Sequence, residues 1–169
     1  MAFRLARLIP WFMWMLLVTA ATVVLGLTWF RPPVRQPLAF SHARHEKMTC
    51  VMCHAGVESR ARAGLSDIGT CVRCHATPPV SSATDVAAWN DAVQTRHIIW
   101  QRLRRVADHV YFSHRRHVDI GELQCATCHG DIAIRTTPPP HALKPISMAN
   151  CLACHEEQHV LNDCARCHK

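Results

Sequence analysis

The chain has 169 residues, a formal net charge of +7 and a sequence pI near 9.1. Its 19 Lys and Arg form no basic run, which argues against a nucleic-acid partner despite the charge. Five Phe, five Trp and one Tyr are too few to build an ordinary core, while 10 Cys are many.

At the amino terminus MAFRLARLIP is followed by WFMWMLLVTAATVVLGLTWF, Trp11 to Phe30, a run without a charge. Its length suits a helix crossing the hydrocarbon core, and Trp11, Trp14 and Trp29 sit near its ends as aromatic belts do. The apolar run continues past Thr19, Ala20, Ala21 and Thr22, too far for the core of a cleaved signal, which predicts a retained anchor over 1–31. Arg4 and Arg7 favour a cytoplasmic amino terminus, although Arg31 and Arg35 blunt the asymmetry. Pro32, Pro33 and Pro37 then predict a short stiff linker over 32–39.

A first module, 40–79, opens with FSHARH and carries Cys50-x-x-Cys53-His54 and Cys71-x-x-Cys74-His75. A cysteine-free connector, 80–110, follows. Within it DVAAWNDAVQT predicts a helix capped by Thr84, and HIIWQRLRRV reads equally as helix or extended chain. The second module, 111–169, repeats the opening as FSHRRH and carries Cys125-x-x-Cys128-His129, Cys151-x-x-Cys154-His155 and Cys164-x-x-Cys167-His168. TTPPPHALKP interrupts it as a loop.

All ten cysteines therefore fall into five C-x-x-C-H motifs, the attachment signature of c-type haem. A zinc ribbon also uses C-x-x-C pairs, but a tetrahedral site gives no reason for a histidine after every pair. A disulfide framework gives none either, so the spacing predicts five covalently bound haems c. Each motif histidine supplies one axial ligand, leaving five irons short of a sixth. Thirteen histidines leave eight outside the motifs: His42, His45, His97, His109, His114, His117, His141 and His159. That excess favours irons closed by two histidines, which pass electrons and bind no substrate.

Five haems add about ten propionate charges and return about one positive charge for each ferric centre, so the loaded chain is near neutral. The arginines then read as propionate partners. The fold expected is mainly short α-helices and loops around stacked haems, with little β structure and one amino-terminal transmembrane helix. Histidines three apart, as in each F-S-H-x-x-H, point in somewhat different directions from one turn and can serve two haems at once. Phe40 and Phe112 are expected to pack on the porphyrins. Haem attachment occurs outside the cytoplasmic membrane, so everything after Pro32 is expected on its periplasmic or extracellular face.

The order F-x-H-x-x-H, C-x-x-C-H, loop histidine, C-x-x-C-H, C-x-x-C-H resembles the class III cytochromes. QPLAFSHARH, GTCVRCH, DHVYFSHRRHV, CATCHG and ISMANCLACH are similar to the membrane-anchored pentahaem subunit of alternative complex III. The resemblance implies that His42 and His45 serve haems one and two, His114 and His117 haems three and four, and His141 the last. His109, His97 and His159 are its rivals, and Met52 or Met148 would raise the potential of the haem it bound. Where the resemblance leads one to expect a histidine in the connector, this chain reads WQRLRRVAD and offers Arg104 or a neighbour.

The implied function is electron transfer without an active site of its own. A polytopic quinol-binding membrane subunit and an iron-sulfur subunit would be its partners, and a periplasmic cytochrome or oxidase its acceptor. A stand-alone anchored quinol dehydrogenase, or a multihaem reductase with one open iron, are the competing readings. The motif histidines are followed by Ala-Gly, Ala-Thr, Gly-Asp, Glu-Glu and Lys, whereas anchored tetrahaem quinol dehydrogenases often carry a methionine there.

Overall fold

The structure, a computed structural model, describes residues 2–29, 32–80 and 82–168, with side chains described over 10–26, 32–80 and 82–168. The chain divides into two compact units, Met1–Pro33 and Val34–Lys169. The first is built on helix α1, Ala2–Trp29, which has Pro10 inside it. The large apolar side chains of α1 from Trp11 to Leu25 are exposed.

Among the described residues no helix is long and apolar enough to cross a membrane. The transmembrane helix expected over Trp11–Phe30 is corrected accordingly. The single-pass inner-membrane location rested on that span and is corrected with it. Phe30 and Arg31, which the expectation also used, lie outside the described residues.

The second unit is helical and loop-rich, as its sequence predicts. It contains α2 (Ile68–Cys71), α3 (Ala83–Thr95), α4 (Cys125–His129), α5 (Met148–Glu157) and α6 (Cys164–Cys167). Two 3-10 turns, Ala43–His45 and Cys50–Met52, and a π turn, Arg116–Ile120, complete it. Among the described residues there is no sheet, and the β pairing is an isolated antiparallel bridge between Val110 and His168.

Helix α3 is capped by Ser82, two residues before the predicted Thr84. The Ser82 hydroxyl accepts the Asp85 N–H at 3.1 Å and donates to the Asp85 carboxylate at 2.6 Å, leaving Thr84 inside the first turn. The helix stops where Arg96 turns left-handed at φ 57°. HIIWQRLRRV then runs without helix. Ile98 is buried, Ile99 is 71% exposed and Trp100 is partly buried, the alternation of extended chain.

The connector does not stand apart from the first module. Trp89 and Ala92, three apart on one face of α3, bury against Ile68 of α2, Leu38 and Ile98. Asp67 ties the same pieces together. One oxygen accepts the N–H groups of Ile68 and Ile98 at 2.9 and 2.8 Å, and the other meets His97 Nδ1 at 3.0 Å. The Trp100 indole donates to the Ser66 carbonyl at 2.6 Å, and Gln36 exchanges two hydrogen bonds with the Gln101 backbone.

This protein core is thin. A 19.1 kDa chain folded around its own side chains exposes about 8,400 Å². Here 14098 Å² is exposed, α1 accounting for part of the excess. Among the described residues the buried apolar side chains are Leu38, Val57, Ile68, Trp89, Ala92 and Ile98.

Candidate haem-binding site

Each C-x-x-C-H motif folds as a tight helix-like turn, 50–54 opening on a 3-10 turn and 71–75 leaving the end of α2. The motif histidine N–H reaches the first cysteine carbonyl at 2.9 Å in His54, 3.0 Å in His75 and 2.9 Å in His168. The motif 125–129 is α4 itself, and 151–155 lies within α5. In such a turn the first cysteine, the second and the histidine occupy positions i, i+3 and i+4, which share a face. Two thiols and an imidazole are thus presented together, and all ten cysteines are free. Gly130, at φ 68°, lets the chain leave α4 immediately, and a Cβ there would stand 3.1 Å from Leu143 Cβ.

Facing four of the five motif histidines is a histidine from elsewhere. Ring centres lie 6.1 Å apart for His45 and His75, 6.3 Å for His114 and His129, 6.1 Å for His117 and His155, and 5.4 Å for His109 and His168. The ring planes meet at 68°, 8°, 33° and 17° respectively. His42 lies near the fifth, His54. Burial depresses the His42 imidazole pKa most, and the neighbouring His54 and then His45 lower it further.

These pairs suit an iron between two imidazoles. With metal–nitrogen bonds of about 2.0 Å on each side and each nitrogen about 1.1 Å from its ring centre, the centres stand about 6.2 Å apart. Three pairs already have that separation, and His109 and His168 reach it by parting roughly 0.8 Å. Among the described residues no group of three or more His, Cys, Asp or Glu converges as a metal site.

The second ring nitrogen is also accounted for in several of them. His45 Nδ1 donates to the Ser41 carbonyl and His117 Nδ1 to the Ser113 carbonyl, both at 2.8 Å. His114 Nδ1 donates to the Ala61 carbonyl at 3.1 Å and His54 Nδ1 to the Gly64 carbonyl at 3.2 Å. A carbonyl only accepts, so Nδ1 carries the proton and Nε2 keeps a lone pair for a metal. The residues present fit the haem c that their motifs imply.

The repeated F-S-H-x-x-H segments share their ring contacts. Phe40 stacks on His45 at 4.7 Å and meets His42 edge-on at 4.8 Å. Phe112 stacks on His117 at 4.7 Å and meets His114 edge-on at 4.9 Å. The two phenylalanines thus pack on the histidines they precede and orient them.

Of the spare histidines, His109 is the ring that faces His168. His141 is exposed in the proline-rich loop, His97 is engaged by Asp67, and His159 follows α5 with φ 54°. The sequence reading passed over Trp89, whose ring meets His75 edge-on at 6.3 Å. It named Arg104 where a histidine was expected, without what that side chain touches. Its Nη1 donates to the Cys128 carbonyl at 2.9 Å, and its Nη2 is buried without a partner. Burial depresses the Arg104 pKa, and desolvation followed by the Arg104 cation depresses that of His129. An arginine in a connector carries no spacing signal that could have marked it.

A family model described as the class III cytochrome c family matches residues 27–102, and one described as cytochrome c7 and related cytochrome c matches residues 110–169. No curated protein matches the chain. Both matched segments contain F-S-H-x-x-H or its following motifs, and cytochromes of these families hold c-type haem covalently and transfer electrons. Residues 27–102 are thus similar to the class III cytochromes c and residues 110–169 to the cytochromes c7, both multihaem cytochrome c families.

Proposed function

We propose that the chain binds five haems c and relays electrons as a subunit of a quinol-oxidising complex of the alternative complex III kind. A polytopic quinol-binding subunit and an iron-sulfur subunit supply its electrons, and a cytochrome or oxidase receives them. The observation that carries the relay reading is the facing of motif and non-motif histidines at 5.4–6.3 Å. Axial pairs of this kind leave no iron position for a substrate.

The histidines that would hold the five haems are His42 with His54, His45 with His75, His114 with His129, His117 with His155, and His109 with His168. His109 replaces His141 in this assignment because its ring lies against His168. When bound, haem supplies a one-electron couple. The chain's part is to fix each imidazole through Nδ1, to hold two thiols beside it, and to keep the five sites close. The paired thiols would hold haem as thioethers.

The haem-to-protein ratio of the purified holoprotein tests the count, with five expected. His109→Ala should create one high-spin haem that binds carbon monoxide when reduced, whereas His141→Ala should leave all haems low-spin. The opposite result would return the assignment to His141. Copurification with a polytopic subunit and an iron-sulfur subunit tests the complex. Quinol oxidation by the isolated chain alone would defeat the relay reading.

A further inference from the structure

We infer that the five motifs are strung in space in the order 71–75, 50–54, 125–129, 151–155, 164–168, so that the two modules join between their first and third motifs. This rests on the five-haem reading proposed above. Sequence order would suggest a junction between 71–75 and 125–129, the last motif of one module and the first of the next.

The outer links follow from the shared histidine turns. His42 and His45 leave one turn, His45 facing His75 at 6.1 Å while His42 lies by His54, which makes 71–75 and 50–54 neighbours. His114 and His117 likewise leave one turn, facing His129 at 6.3 Å and His155 at 6.1 Å, which makes 125–129 and 151–155 neighbours. The last motif is held by the segment before His114. Tyr111 N–H donates to the Cys167 carbonyl at 2.7 Å, and Val110 bridges to His168. Cys151 lies within electrostatic reach of both Cys167 and Cys128, as a motif beside both would.

The junction is set by one loop. The segment 55–64 follows the first motif, and its Gly64 carbonyl orients His54 through Nδ1 at 3.2 Å. Three residues earlier the Ala61 carbonyl takes both the His114 Nδ1–H at 3.1 Å and the His114 backbone N–H at 2.9 Å. Arg115 N–H donates to the Arg60 carbonyl at 3.1 Å. A ligand of the first site and a ligand of the third are thus oriented by the same short loop. The thiols agree, since Cys50 lies within electrostatic reach of Cys125. His129 also feels His54 across the junction.

Each transfer along this order is a one-electron exchange in which one iron is oxidised as its neighbour is reduced. No bond forms or breaks, and an external one-electron donor and an external one-electron oxidant complete the balance. The centres with a single neighbour are those of 71–75 and 164–168, and an electron crossing between them visits all five.

Iron-edge anomalous diffraction from crystals of the holoprotein tests the order, because it locates each iron independently of the protein trace. Five peaks are expected, with the iron of 50–54 nearest to those of 71–75 and 125–129. Five peaks with the iron of 71–75 closer to that of 125–129 would overturn the order while leaving the five-haem reading intact. Fewer than five peaks in protein with every motif present would overturn the five-haem reading and the order with it.

Discussion

Arg104 illustrates how much a single side chain gains its meaning from what surrounds it. Its guanidinium touches the Cys128 carbonyl and lowers the pKa of His129, so a fixed positive charge stands beside the third motif. Such a charge disfavours the ferric state relative to the ferrous one, which carries one positive charge fewer. Arg104→Gln should move one one-electron component of a potentiometric titration to lower potential, and Arg104→Lys should retain most of the original value. An unchanged titration in the glutamine variant would separate the charge from the haem. His109 makes the same point from the ligand side. Nothing in DHVYF distinguishes it from His141 until the Val110–His168 bridge brings the two chain segments together.

Among the elements, α3 depends on a cap and a face. Ser82→Ala removes the hydroxyl that accepts the Asp85 N–H and should cost about 1 kcal/mol. Trp89→Ala, at the centre of the small core, should cost about 3–5 kcal/mol and loosen the contact with His75. Denaturant titration of the holoprotein distinguishes the two sizes of effect. Asp67 ties α2 to the segment after α3. The His97 hydrogen bond holds its carboxyl below the ordinary carboxylate range, assisted by the Ile68 and Ile98 N–H groups and opposed by burial. A carboxyl depressed in the fold contributes stability above its unfolded pKa and loses it as pH falls through the folded value. Melting temperature should therefore drop on acidification below about pH 4, and Asp67→Asn should show a smaller drop over that window.

At the scale of the whole molecule, stability and cofactor are coupled. Helices α2, α4 and α6 have 4, 5 and 4 residues, lengths that do not persist alone in water. With so few apolar side chains buried, what holds them is expected to be haem attached through each turn. A chain produced without haem attachment should lose the helical circular dichroism of the second unit and its resistance to proteolysis. If it kept both, the protein core would be sufficient by itself.

Much of this was legible in one dimension because thioether attachment demands two thiols and an imidazole at i, i+3 and i+4, a spacing that survives in the sequence. The five motifs, the helix-and-loop character and the twin F-S-H-x-x-H turns all belong to that local order. The span of Trp11–Phe30 shows the limit of reading apolar length alone, since no described helix meets the length and apolarity of a crossing. The cap at Ser82 in place of Thr84 shows a second limit, because two hydroxyls two residues apart compete for one start. What only the tertiary structure decided were the long-range partners: His109 against His168, Arg104 against Cys128, and the loop 55–64 shared by His54 and His114. These contacts join residues far apart along the chain, and no local periodicity encodes which segment will lie beside which.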